Sequence, residues 1–158
     1  MKQLWAPWRI DYIKGEKPSG CILCGKPKEK KDRANLILYR GKHGFVMMNL
    51  YPYNNGHMMV VPYEHVNTLE ALSDEAAKNL MQMTKKSLAA LRKAFRPEGA
   101  NVGLNLGKAA GAGIEDHLHF HVLPRWNGDT NFMTSVADIR VIPEDLEETY
   151  RQLKPYFK

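Results

Sequence analysis

His117-Leu118-His119-Phe120-His121-Val122-Leu123-Pro124-Arg125-Trp126 alternates three imidazoles with three apolar side chains, which is the period of an extended strand and not of a helix. In this phase the histidines line one face and Leu118, Phe120 and Val122 the other, so one side packs and the other is left for chemistry. Half of the six histidines of the chain fall in these five positions. Same-face neighbours on a strand stand roughly 6–7 Å apart, close enough to share one ligand or one reacting atom. A solvent-facing polar strand would carry Thr, Lys or Glu rather than a scarce residue, so the row reads as a site.

Upstream, Val102 to Leu106 reads as a strand, joined to the histidine strand as a hairpin around the Gly/Ala-rich loop Gly107 to Gly113. From about Asn67 or Ser73 to Phe95 the pattern turns helical. Ala76, Leu80, Met83, Ser87 and Leu91 recur at spacings of four and three, Asp74 and Glu75 occupy the first turn, and Arg96-Pro97-Glu98-Gly99 ends the run. Before it, Leu36 to Tyr39, Gly44 to Leu50 and His57 to Pro62 read as an antiparallel meander, the last two strands joined across Tyr51 to Gly56 with its turn-forming Asn55-Gly56. Glu144 to Leu153 reads as a C-terminal helix. Strands in runs with helices between the runs predict an α+β fold with an antiparallel sheet of about five strands and flanking helices.

At 158 residues the chain is long enough to bury a core as one domain without staples. Residues 1–20, aromatic and Pro-punctuated, read as an N-terminal arm, and about 140–158 as a helical tail. No stretch has the length of a signal peptide's apolar region or of a membrane span, so a soluble cytoplasmic protein without membrane contact is expected. The net charge of +6 suits an anionic partner such as a nucleotide. The cluster Lys26, Lys28, Lys30, Lys31 and Arg33 lacks interleaved aromatics and reads as a solvated loop, not a nucleic-acid groove. Trp5 and Trp8 read as packing residues of the arm, and Met47-Met48 and Met58-Met59 as sheet core with one face near the site.

Nucleophilic catalysis by histidine needs a neutral imidazole with its lone pair aimed at an electrophile and a partner fixing the tautomer at the other nitrogen. His119, flanked on its own face by His117 and His121, is the best-placed residue. Attack on phosphorus would give a nucleotidyl-histidine, with the phosphate charge held by His121 and by backbone N–H groups of the Gly-rich loop. A metallohydrolase site with the triad as ligands is one rival reading, with Glu115, Asp116 and Asp129 near enough in sequence to add carboxylates; a nucleotide-binding regulatory module with little turnover is the other. The two cysteines of the chain, Cys21 and Cys24, have the C-x-x-C spacing of a zinc knuckle. Two more ligands would be required, for which His65 and His117 are the candidates; a dithiol redox pair is the alternative.

These residues resemble the histidine-triad (HIT) family of nucleotidyl hydrolases and transferases, whose motif is H-x-H-x-H followed by two apolar residues, as in His117 to Leu123. Asn49 before a Pro-bearing turn, Gly56-His57 opening a strand, Pro62-x-x-His65, Asn105-x-Gly107 and Leu123-Pro124-Arg125 follow in family order. The resemblance, over residues 20 to 130, implies an antiparallel sheet with flanking helices, commonly a two-fold homodimer. It implies His119 as nucleophile, His121 on the phosphate, Asn49 on the ribose, Asn105 near the phosphates and His57 lining the pocket. It also implies a structural zinc on Cys21, Cys24, His65 and His117, purine nucleotides as ligands, and no organic cofactor. Where many members carry Gln then Ser or Thr ahead of the triad, this chain has Gly111-Ala112-Gly113-Ile114-Glu115-Asp116. Phosphate contacts would then fall to backbone N–H groups of Gly111, Ala112 and Gly113, or to Asn105 and Lys108. That loop, with Leu4-Trp5-Ala6-Pro7-Trp8-Arg9 and the run Asn49 to His57, looks like the bacterial diadenosine tetraphosphate phosphorylase/hydrolase branch, in which inorganic phosphate can take the nucleotide instead of water.

Overall fold

A computed structural model of the chain describes residues 20–129 and 142–158, so the arm at 1–20 lies outside the described residues except for Gly20. Five strands form one antiparallel sheet in the order β1-β2-β3-β5-β4: β1 Ile37–Arg40, β2 Gly44–Met48, β3 Met58–Pro62, β4 Gly99–Leu104 and β5 Phe120–Arg125. Among the described residues three helices accompany it: the short α1 Ile22–Gly25, the long α2 Asp74–Phe95 and α3 Leu146–Leu153. Among the described residues no helix is long and apolar enough to cross a membrane.

The meander β1-β2-β3 pairs in the expected sense, with β2 and β3 in register from Gly44↔Pro62 to Met48↔Met58. Gly44 is dictated by that pairing, because a Cβ there would stand 2.3 Å from the Val61 carbonyl oxygen. The turn ends at Gly56, whose φ of +76° suits glycine, and a Cβ there would press on Leu91 and Phe95 of α2. Helix α2 begins at Asp74 rather than near Asn67, since Ser73 caps it: the Ser73 side chain accepts the Ala76 N–H at 3.2 Å. Its buried face carries the five residues read from the periodicity, Ala76, Leu80, Met83, Ser87 and Leu91, together with Thr84 and Ala90.

Alternation along the strands divides the sheet into two apolar layers. Leu38, Val46, Met48, Met58, Val60, Leu118 and Val122 pack against α2 and α3, while Leu23, Ile37, Phe45, Met47, Met59 and Val61 form a smaller cluster on the opposite face. Met59 stands opposite His121, so the triad face is the one that carries the smaller cluster. Helix α3 is capped by Asp145, and its Tyr150 hydroxyl donates to the Ile37 carbonyl at 3.0 Å, fastening the tail to β1.

Three local readings differ from expectation. Strand β4 runs Gly99–Leu104 against the expected Val102 to Leu106, because its pairing with β5 extends to Gly99↔Arg125. Strand β5 starts at Phe120, leaving His117 to His119 ahead of the ladder. The reason is Pro62: having no N–H, it cannot extend the β3–β5 ladder beyond Val60↔Phe120. The Pro62 and Val66 carbonyls instead accept the His117 Nε2–H and the Leu118 N–H. The Lys26 to Arg33 segment, read as a solvated loop, opens with a 3-10 turn at Lys26–Glu29 that continues the four-residue α1.

Candidate active site

Three buried histidines, His57, His119 and His121, meet on the triad face, and hydrogen bonding fixes the tautomer of each. The Tyr53 backbone N–H donates to His57 Nδ1 at 3.1 Å, with the Asn49 amide nitrogen 3.3 Å from the same atom. Nδ1 is therefore an acceptor, and the neutral ring carries its proton on Nε2. That proton is donated to His121 Nδ1 at 2.9 Å, which in turn leaves the His121 proton on Nε2. His119 is set the other way, because its Nδ1–H donates to the His117 carbonyl at 2.8 Å and Nε2 keeps the lone pair.

Neither His119 Nε2 nor His121 Nε2 is hydrogen-bonded to a described residue, and among the described residues no buried side-chain nitrogen or oxygen lacks a partner. Both atoms therefore reach the surface although their residues are only 6% and 7% exposed. The His119 and His121 rings meet edge to face at 4.9 Å between centroids, and Tyr53 packs at 4.8 Å on His57 and 5.7 Å on His121. Burial, with the His119 charge second, lowers the His121 pKa from 6.5 to about 4, so the ring is neutral near pH 7.

Around these rings the chain leaves room. Gly103 of β4 pairs with His121, and a Cβ at Gly103, Gly111 or Gly113 would meet nothing within 4 Å. Asn105 follows the last β4–β5 pair, Leu104↔Phe120, and so lies level with His119. Asn49 is tied back locally, its side-chain oxygen accepting the Tyr51 N–H at 2.9 Å. The Gly-rich loop forms a 3-10 turn at Lys108–Ala110 whose closure uses two of the three donors expected of it: Gly111 N–H bonds Lys108 O and Ala112 N–H bonds Gly107 O. Gly113 N–H makes no hydrogen bond to a described residue.

A second cluster lies at the N-terminal end of the row. Cys21, Cys24, His65 and His117 each offer a ligand atom, all within 4.8 Å of one another. His117 Nδ1 is 3.3 Å from Cys21 Sγ, 3.4 Å from Cys24 Sγ and 3.3 Å from His65 Nδ1. Edges of about 3.3–3.8 Å are those of a tetrahedron with Zn–N and Zn–S bonds of ordinary length. His117 spends its Nε2–H on the Pro62 carbonyl, so Nδ1 presents a lone pair to the cluster. Burial and the neighbouring Cys21 push the Cys24 thiol pKa up, and burial pushes His117 down. Four donors so crowded fit a shared cation of the Cys2His2 type. His119 and His121 take no part in this group, and among the described residues no carboxylate joins it. Asp129, considered above as a metal ligand, instead accepts Arg125 Nε at 2.6 Å and Nη2 at 2.7 Å.

Sequence reasoning assigned no role to Tyr53 or Asn54. The Tyr53 contribution is a backbone N–H, which no residue type advertises, and Asn54 carries only a turn signal.

The HIT domain family model matches residues 30–128. An AP-4-A phosphorylase of Mycobacterium tuberculosis is 41% identical over 97% of this chain and 83% of its own length. An adenosine 5'-monophosphoramidase of Schizosaccharomyces pombe is 29% identical over 87% of this chain and 98% of its own. Among solved structures, a Zn-bound histidine triad family protein from Mycobacterium smegmatis superposes with a TM-score of 0.70 at 26% identity, covering 87% of this chain and 92% of that one.

Proposed function

The chain belongs to the HIT domain family, and from that premise we propose that it is an enzyme cleaving dinucleoside polyphosphates, diadenosine tetraphosphate among them, through a nucleotidyl-His119 intermediate. The observation that carries the reading is the tautomer of His119: with Nδ1–H held by the His117 carbonyl, Nε2 offers a lone pair at the surface beside a neutral His121. The relationship to an AP-4-A phosphorylase supports the choice of substrate.

In this mechanism His119 Nε2 attacks the α-phosphorus of the bound dinucleotide. The phosphorus–nitrogen bond forms as the bond to the bridging oxygen breaks, and adenosine triphosphate leaves with that electron pair. His121 Nε2–H, held in place from behind by His57 Nε2–H, donates to an oxygen of the transferring phosphoryl group. Attack by an oxygen of inorganic phosphate or of water then breaks the phosphorus–nitrogen bond and returns the lone pair to His119. Asn49 and Asn105 flank the row at positions suited to the ribose and the phosphates, with Gly113 N–H and Lys108 as further donors.

Cys21, Cys24, His65 and His117 would hold a zinc ion whose contribution is structural, joining the Cys21–Cys24 segment to the first triad residue. Since the His117 carbonyl fixes the His119 tautomer, a rigid His117 also steadies the nucleophile. The test is incubation with diadenosine tetraphosphate with and without phosphate, followed by product separation. Phosphorolysis yields adenosine diphosphate and triphosphate and requires phosphate, whereas hydrolysis yields monophosphate and triphosphate. No product at high enzyme concentration would refute the reading.

A further inference from the structure

The turn that carries Tyr53 is pinned to the far end of β5 by a polar cluster that the chemistry above does not use. Asp129, whose side chain is 9% exposed, accepts Arg125 Nε and Nη2, the Trp126 N–H at 3.1 Å and the Asn54 side-chain amide at 3.0 Å. The same Asn54 amide lies 3.2 Å from the Pro124 carbonyl, and Arg125 Nη1 donates to Asn101 on β4. Asn54 therefore bridges the 51–56 turn to the strand that carries His121. Its side-chain oxygen accepts the Asn55 N–H, and its carbonyl accepts the His57 N–H at 3.2 Å, so the turn is shaped around it.

One residue before Asn54, the Tyr53 N–H is the closer of two donors at His57 Nδ1, 3.1 Å against 3.3 Å for the Asn49 amide nitrogen, and it helps to fix that nitrogen as the acceptor. A backbone donor can fix a tautomer only while its loop is held, because a drifting N–H lets the ring exchange its proton between nitrogens. We propose that Asp129 is a positioning residue for catalysis, acting through Asn54 to hold the Tyr53 N–H on His57 and so keep His121 in the tautomer whose Nε2–H faces the substrate. This rests on the proposed role of His121, but the tautomer itself can be read without turnover.

The experiment uses the full chain with metal loaded. Ring nitrogens of His57 and His121 are observed by nitrogen-15 NMR in the wild type, Asp129→Ala and Asn54→Ala, alongside kcat, KM and thermal unfolding. The proposal expects one tautomer for each ring in the wild type and a mixture in both variants. With that mixture kcat falls about 10- to 100-fold while KM stays within about threefold, as for loss of an outer-shell partner. Unchanged tautomers in a folded variant overturn it, as does a tautomer mixture with kcat unaltered. Should Asp129→Ala not fold, Asn54→Ala decides by the same two readouts, since it leaves the Arg125–Asp129 pair intact. Failure of the nucleotidyl-histidine chemistry would show separately, in the absence of product from the wild type.

Discussion

His119 and His121 differ by one hydrogen bond each, and in the proposed mechanism that difference separates a nucleophile from a donor. His119 donates its Nδ1–H to a carbonyl and keeps a lone pair at Nε2; His121 accepts a hydrogen bond at Nδ1 and carries its proton at Nε2. Replacing His119 by Ala is expected to lower kcat by on the order of 10⁴-fold or more, as loss of a covalent nucleophile does, with the unfolding midpoint almost unchanged. Steady-state kinetics and a thermal melt of the same preparation check both halves. His121 makes a separate prediction about pH. Its folded-state pKa is about 4 against an ordinary 6.5, so between those values the unfolded chain binds more protons and stability rises with pH. The stabilising contribution is complete above pH 6.5 and is lost as the pH falls toward 4. The difference in denaturation midpoint between the wild type and His121→Gln should therefore shift against the wild type as the pH drops from 7 to 4.5. A pH-independent difference would contradict the assignment.

At the scale of elements, the hydrogen-bond ladder decides where the site begins. Gly44 allows β2 to approach Val61, and Gly44→Ala should destabilise the protein by about 3 kcal/mol through overpacking against backbone. Denaturant titration would measure it, and a loss near zero would mean that the β2–β3 pairing can yield. The strands, the α2 face and the triad alternation were legible because each is a local period: two for strands, three and four for the helix. Pro62 was legible as a residue but not in its effect, since its missing N–H matters only once β5 lies beside β3. The four-residue α1 spans too few residues for a period to show. Expectation placed three N–H groups of the Gly-rich loop on phosphate, and two of them close the loop's own turn instead.

Across the whole molecule, contacts distant in sequence gather two centres at opposite ends of the histidine row. Cys21 and Cys24 reach His117 over more than ninety residues, and His57 reaches His121 over 64. The first gathering was legible because C-x-x-C announces a need for further ligands. The Asp129–Asn54 bridge was not, since an Asp and an Asn that meet across 75 positions leave no spacing to read. The two centres should separate under mutation. Cys24→Ser, or removal of metal by a strong chelator, is expected to lower the melting temperature and activity together, whereas His119→Ala lowers activity alone. Metal content measured on the purified protein, followed through chelation with the melt, checks this.

The most direct test of the central claim is to stop the reaction with diadenosine tetraphosphate in alkali, where a phosphoramidate survives, and to map the protein by mass spectrometry. One nucleoside monophosphate is expected on the peptide containing His119 and none in His119→Ala; sustained turnover by His119→Ala, with no adduct on any histidine of the wild type, would rule out the covalent route.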